Sequence, residues 1–433
     1  MAMDGKELVE KLAKLSQVQS IKDIPQLTHA LFPGTHCPLM GAAMAVGGIK
    51  DSLIVVVGTD ECTYYTKSMT IHSEKFGGID GRCVSVVLDD HDVTFGSAEK
   101  VQGAFKEIIE EYRPQCVFLV TTCVIEIIGD DFDAISEGLS ELYGIPVLPV
   151  HTEHFKCEDH LPGLERTITV CAEMMKSCDC ENSVNLLGQR MGDFATTELY
   201  AMLQKAGVKI GLQLPCGCSV DDIKNAAAAK VNIVVNDIAL PLAQKMQEKF
   251  GIPYVYFNKF VIPEKIYEAY KNLFGYLELE LPGELEGLYQ NAREKIEKNK
   301  GELEGITYIY GNTPYAVFEM NCFLSSLGMV PQVIQTNRYT EADEPYAKEI
   351  LQYTDPYVCK AANIAPLQYV YDVLSPYLYL GHEFGNRLRQ KGIAIVHSDR
   401  ASGMLGFEVT GYLLQQLVKS VREAKEYRKE LCL

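Results

Sequence analysis

The chain has 433 residues, 47% of them hydrophobic, and 40 Lys and Arg stand against 58 Asp and Glu for a formal net charge of −18. That length can bury two or three cores, and the acidic balance excludes nucleic acid as a partner, because binding it requires a basic surface. No apolar run reaches the roughly 18 residues needed to cross a bilayer, and the stretch from Met1 to Leu8 carries acids without an apolar core. The expectation is a cytoplasmic protein with no membrane partner.

Short apolar runs alternate with longer amphipathic segments, the pattern of α/β units built on parallel sheets flanked by helices. A first set of strands is expected at residues 52–58, 83–88, 116–120 and 146–150, with a helix at 98–112 among the connections. A second set falls at residues 183–188, 208–212, 231–235 and 253–257. A third follows the charged stretch 291–304, at residues 306–311, 330–335, 377–380 and 393–397. Three domains are therefore expected, over residues 1–182, 183–304 and 305–433. Residues 281–304, rich in Glu and Lys at helical spacing, read as a solvated connecting helix.

Three strand-to-helix openings look alike: Gly58-Thr-Asp-Glu-Cys62, Gly188-Gln-Arg-Met-Gly192 and Gly311-Asn-Thr-Pro-Tyr315. None is a dinucleotide fingerprint, and no phosphate-cradling G-x-x-x-x-G-K-[ST] loop occurs, so the chain is expected to bind no nucleotide itself. Ligands of open α/β sheets collect at the carboxyl ends of strands, which directs attention to these turns.

Fourteen cysteines remain to be explained. A disulfide framework belongs to small secreted chains, and Cys83, Cys116 and Cys171 sit in apolar patterns that read as plain core. Cys37, Cys62 and Cys123 differ, since each opens a helix and the last two do so at a strand end. A thiol at a helix N-terminus is expected to have a lowered pKa and to suit an iron–sulfur site. The small residues after Cys37 are expected to leave room for a bulky cluster.

The order and separations of these three cysteines resemble the cluster-binding domain of nitrogenase component 1 proteins. The flanking text agrees in Cys37-Pro-Leu-Met-Gly-Ala42, Gly58-Thr-Asp-Glu-Cys-Thr-Tyr-Tyr65 and Thr121-Thr-Cys-Val-Ile-Glu-Ile-Ile-Gly-Asp-Asp131. Weaker likeness continues through Val184-Asn-Leu-Leu-Gly188, Lys249-Phe-Gly-Ile-Pro253 and His397-Ser398. The resemblance implies three Rossmann-like domains around a cavity, and an iron–sulfur cluster held by Cys37, Cys62 and Cys123 at a subunit interface. It also implies an ATP-dependent iron protein as electron donor. Three cysteines do not complete a [4Fe-4S] cubane. A second subunit, an oxygen ligand such as Asp60, or water would supply the fourth ligand. Alternatively, two chains bring six thiolates for an eight-iron, P-cluster-like form. A homodimer and a heteromer with a related subunit both remain open.

Other residues carry weaker signals. His382, His397 and Asp399 follow third-domain strands and are expected to supply protons at the cavity. Arg400 could clamp a carboxylate there, and Arg190, Cys216 and Cys218 are expected to line the same space. Cys178 and Cys180 read as incidental on a surface turn. The segment from His151 to His160 is rich in His and acids, and a hydrogen-bonded interface loop is preferred over a metal nest. In the resembling family a Cys and a His anchor the molybdenum cofactor. Here Val235 or Asn236 stands at the first position and Leu405 at the second, so no molybdenum cofactor is expected. The leading reading is the catalytic subunit of a nitrogenase-like reductase, an oxidoreductase acting on a substrate in the cavity. The alternative is a non-catalytic scaffold for assembly of a complex iron–sulfur cofactor.

Overall fold

The computed structural model describes residues 4–27, 36–71, 81–157, 159–190, 193–311, 313–360 and 364–432. Helix Gly5–Glu10 is followed by β1 (Ala13–Lys14), and after helix Pro38–Gly47 come β2 (Ile49–Lys50) and β3 (Ser52–Gly58). The rest of the first sheet is β4 (Cys83–Val87), β5 (Cys116–Thr121) and β6 (Val147–Val150), in the order β4-β3-β5-β6 and parallel throughout. Every residue of β3 and of β5 is buried. That is why both read as unbroken apolar runs, covered by helices on each face. Helix Ala98–Tyr112 covers one face with Val101, Phe105 and Ile108, spaced at four and three residues so that they share a side.

The second sheet contains β7 (Glu181–Gln189), β8 (Lys209–Pro215), β10 (Ala229–Val234) and β11 (Tyr254–Tyr256), ordered β11-β10-β7-β8 and parallel. The short β9 (Cys218–Ser219) pairs instead with β2, Ile49 opposite Cys218, and ties the first two sheets together. Those sheets share one apolar cluster that includes Ile54, Val56, Phe118, Leu187, Leu212, Val234 and Met246. Helix Leu285–Leu303 then leads to the third sheet, with only Leu285, Ala292 and Leu303 buried, as a solvated connecting helix requires. The third sheet is β12 (Thr307–Tyr310), β13 (Val330–Gln335), β14 (Tyr357–Cys359), β15 (Leu378–Leu380) and β16 (Ala394–Val396), joined by β1. Its order is β1-β14-β13-β12-β15-β16.

Two sequence expectations are corrected here. Residues 4–27 belong to the third layer, not the first. Strand β1 pairs antiparallel with β14, Ala13 opposite Val358, and Leu8, Leu12 and Leu27 pack with Ile309, Val333 and Tyr371. The small residues after Cys37 also serve a different purpose. A Cβ on Gly41 would lie 1.9 Å from the His160 carbonyl oxygen, and one on Gly163 would lie 1.8 Å from that of Pro38. Helices Pro38–Gly47 and Leu161–Val170 therefore touch backbone to backbone at two reciprocal glycines, and the space is filled by protein.

Candidate functional site

The three cysteines meet at the carboxyl end of the first sheet. Cys37 caps helix Pro38–Gly47, Cys62 lies in the first turn of helix Asp60–Ile71, and Cys123 opens helix Cys123–Ile128. The latter two helices leave adjacent strands, since β3 pairs with β5 through Val57 and Thr121. The Thr122 hydroxyl donates to the Val57 carbonyl at 2.9 Å and draws the two turns together. Gly58 is required at this contact, because a Cβ there would stand 2.0 Å from the Thr122 hydroxyl oxygen. The Thr59 hydroxyl lies 3.4 Å from the Cys62 sulfur.

All three thiols are free and partly buried. The Cys123 thiol is pushed above its usual range, first by burial and then by the negative charge of Cys62 and of Cys37. Each of the other two thiols thus lies within reach of the field at Cys123. The expected lowering is reversed for Cys123, because the first-turn amides that favour its thiolate are outweighed by burial and by like charge. Among the described residues no three His, Cys, Asp or Glu side chains converge on a single ion. Three free soft donors grouped more loosely than a one-ion site suit a multi-iron group in which each thiolate takes its own iron. They leave that group short of protein ligands.

Around these turns exposed apolar side chains stand among charged ones. Tyr64, Tyr65, Phe95, Ile127 and Phe155, on the segments that follow β3, β4, β5 and β6, are between 64% and 77% exposed. The loop after β6 is held by hydrogen bonds. Arg166 binds the Thr152 carbonyl at 2.5 Å and the Glu153 carboxylate at 2.6 Å. The Glu126 carboxylate accepts from the hydroxyls of Thr121 and Thr152 and from the Glu153 amide. His151 pairs with Asp133 at 3.2 Å. Glu158 of this segment lies outside the described residues, as do Met191, Gly192 and Asn312 of the other two strand-to-helix openings.

The other expected residues divide into groups. His382 and Asp399 stand 3.2 Å apart and both are about two-thirds exposed. His397 and Arg400 are exposed beside them; the Tyr412 hydroxyl donates to the His397 carbonyl, and Arg400 lines an open groove with Lys295 and Tyr412. Cys218 is removed from the ligand-facing set. It is buried in the shared apolar cluster, paired with Ile49, and its thiol is pushed up to about 12, chiefly by burial. Cys216 is half-buried on the same turn, which packs against Gly48. Cys178 and Cys180 lie on a turn with their thiols facing backbone carbonyls. Cys83, Cys116 and Cys171 are buried, as core cysteines should be. Val235 and Leu405 are fully buried in one apolar cluster, and the Asn236 side chain accepts from the Ile238 amide to cap a turn.

Arg190 stands elsewhere, at the end of β7. It shares its surroundings with Asp159, which belongs to the segment from His151 to His160, and with Arg338 and the buried Lys259, neither of which sequence reading singled out. Their signal was available in principle, because Lys259 and Arg338 each follow a strand at its carboxyl end.

A family model described as nitrogenase component 1 type oxidoreductase matches residues 37–422. Over 224 residues the chain is 31% identical to the nitrogenase iron-molybdenum cofactor biosynthesis protein NifE of Clostridium pasteurianum, covering 51% of this chain and 49% of that protein. It is 24% identical over 331 residues to NifE of Rippkaea orientalis, covering 73% and 69%. It is also 24% identical to the nitrogenase molybdenum-iron protein alpha chain of Methanosarcina barkeri, covering 72% and 62%. The match thus spans about half of the first of these relatives. The solved structure titled "Nitrogenase Cp1 at pH 6.5" superposes with a TM-score of 0.77 at 14% identity, over 93% of this chain and 95% of that one, a likeness of fold. No helix among the described residues is long and apolar enough to cross a membrane.

Proposed function

Because the chain belongs to the nitrogenase component 1 type oxidoreductase family, we propose that it is a scaffold subunit on which a complex iron–sulfur cofactor is assembled. Cys37, Cys62 and Cys123 would hold an iron–sulfur cluster where a second subunit covers the first sheet's carboxyl end. The observation that carries this reading is the grouping of three free, partly buried thiols inside a rim of exposed aromatic and aliphatic side chains. A bound iron–sulfur cluster supplies reversible one-electron chemistry at low potential. The chain's own part is to present the thiolates on rigid helix openings and to leave the remaining ligands to a partner. That partner is a second copy or a related subunit, and an ATP-dependent iron protein is the external donor, since this chain has no phosphate loop of its own. The two NifE relatives, named as iron-molybdenum cofactor biosynthesis proteins, support a role in cofactor assembly. The apolar packing at Val235 and Leu405 agrees with a cargo that is held without a fixed metal–ligand bond, and with no resident molybdenum cofactor.

The exposed pair His382–Asp399, with His397 and Arg400 beside it, favours a second reading as a reductase subunit with a proton supply on the third domain. Anaerobic purification with iron and sulfide analysis, alone and with the iron protein, ATP and reductant, separates the two. A scaffold gains iron and gives it up to an acceptor protein. A reductase turns over an added substrate and keeps its iron. A chain that binds no iron under either condition overturns both.

A further inference from the structure

Among the fourteen cysteines, Cys178 and Cys180 stand out by access and spacing. They are two residues apart, the first half-buried and the second exposed. Cys216 and Cys218 share that spacing, yet the Cys218 thiol is enclosed and pushed up to about 12, chiefly by burial, which keeps it from the reactive thiolate form. The Cys157 thiol faces the Thr152 carbonyl beside Arg166. Residues 175–180 form neither helix nor strand where the chain passes from the turn Cys171–Glu173 into β7. Both ends of this segment are fixed. The Lys176 amide donates to the Lys224 carbonyl at 2.9 Å, and Glu181 stands opposite Ala229. Between them the Cys178 thiol donates to the Lys176 carbonyl at 3.3 Å, and the Cys180 sulfur lies 3.8 Å from the Glu181 carbonyl oxygen. Two residues of extended chain span about 6.6–7.2 Å, and the α-carbons of a disulfide stand about 4.4–6.8 Å apart. A slight bend at Asp179 therefore brings the two sulfurs into bonding range. A zinc site would need four ligands, and among the described residues no three His, Cys, Asp or Glu side chains are placed to hold an ion.

We propose that Cys178 and Cys180 form a reversible redox pair, a dithiol that exchanges with small-molecule disulfides. The exposed Cys180 thiolate attacks one sulfur of the disulfide and displaces its first thiolate. The Cys178 thiolate then attacks the Cys180 sulfur and displaces the second. The two cysteines give up two electrons and two protons, and the small disulfide leaves as two thiols. A ring closed across a single residue is tight and open to solvent, and strained, exposed disulfides are the labile ones that follow the surrounding thiol balance. Closing it also stiffens the short link that carries the chain from the first sheet's helices into the second sheet. The pair uses none of Cys37, Cys62 and Cys123, and it stands apart from the scaffold reading.

The test equilibrates the purified full chain, without oxygen, with bis(2-hydroxyethyl) disulfide and 2-mercaptoethanol at graded ratios. Free thiols are then trapped with iodoacetamide and the peptides mapped by mass spectrometry. The peptide carrying Cys178 and Cys180 should lose two hydrogens and both alkylation sites together as the ratio rises, with the slope of a two-electron couple, and should return to the dithiol under excess thiol. Cys178→Ser and Cys180→Ser should each abolish the internal bond, leave the remaining thiol with one mercaptoethanol group, and melt as the parent does. The peptide carrying Cys216 and Cys218 should stay reduced in the same digest. The assignment is overturned by a peptide that keeps both alkylated thiols at every ratio, by two mercaptoethanol groups in place of the internal bond, or by a bond from either cysteine to a third. Stoichiometric zinc or copper, held by the parent and lost from both serine variants, would replace the redox pair with a metal site. Iron lost from either serine variant would place these thiols with the cluster and overturn the assignment as well.

Discussion

The carboxyl ends of the first and second sheets occupy the same place in the α/β architecture, yet they are dressed with opposite chemistry. The first presents soft thiols that are partly exposed and ringed by uncovered aromatic residues. The second presents hard cations, one of them a lysine with a tenth or less of its surface in water. The topology delivers residues to a strand end but does not choose them. The thiols of the first stand partly open to solvent, whereas the lysine of the second is enclosed.

Predictions that break or sharpen this contrast can be ranked by size. The largest concerns the glycine contact beneath the thiols. Gly163→Ala places a Cβ against a backbone carbonyl that cannot rotate away, and should cost about 3 kcal/mol or more, read as a large fall in melting temperature or loss of soluble protein. Unchanged stability would mean that the two helices are not packed as closely as described. Next, Cys37→Ala, Cys62→Ala and Cys123→Ala should each remove most of the bound iron and its broad visible absorption while the fold persists. Three variants that all keep full iron content would detach these residues from the cluster.

The cationic end makes a pH prediction of intermediate size. Burial lowers the Lys259 ammonium to about 8 from an ordinary 10.5. The unfolded chain therefore binds the proton more tightly, and stability should rise with pH between about 8 and 10.5. The rise is on the order of 3 kcal/mol for this group, and it should be missing from Lys259→Met in parallel denaturant titrations. A parent curve that falls across this window as steeply as the variant's would show that the lysine is not confined. Phe155→Asp should then weaken self-association or association with a related subunit by about 1–3 kcal/mol without altering monomer stability, read by sedimentation. The smallest effect is expected at His151→Ala. Its pair with Asp133 is largely exposed, so stability should change by under about 1 kcal/mol and iron content not at all. Iron loss there would restore the metal reading of that loop.

Much of this was legible in the sequence, for reasons that differ by element. Strands β3 and β13 and helix Ala98–Tyr112 coincide with their expected bounds, because long apolar runs and a clear helical stripe leave little choice. The three cysteines were legible as helix-opening residues, Cys62 and Cys123 each after a strand. β14 was not, since three residues after Pro356 make too short a run to stand out. The role of Gly41 was misread for a related reason: a small residue signals close approach but does not say by what. Lys259 was invisible because a single basic residue in an Asn-Lys-Phe turn looks solvated, and only its tertiary surroundings reveal that it is enclosed.

The pairing of β1 with β14 bears on synthesis. Ser16, just beyond β1, binds the Asp355 carboxylate through both amide and hydroxyl, across 339 residues of chain. At a translation rate of about 5–20 residues per second, the N-terminal segment emerges on the order of half a minute before its sheet exists. During that interval Leu8, Leu12 and Leu27 have no permanent place to go, and the first two sheets are made before the strand that receives β1. The third sheet thus captures a segment made long before it, and the pairing of β1 with β14 can form only once the chain has reached residue 359.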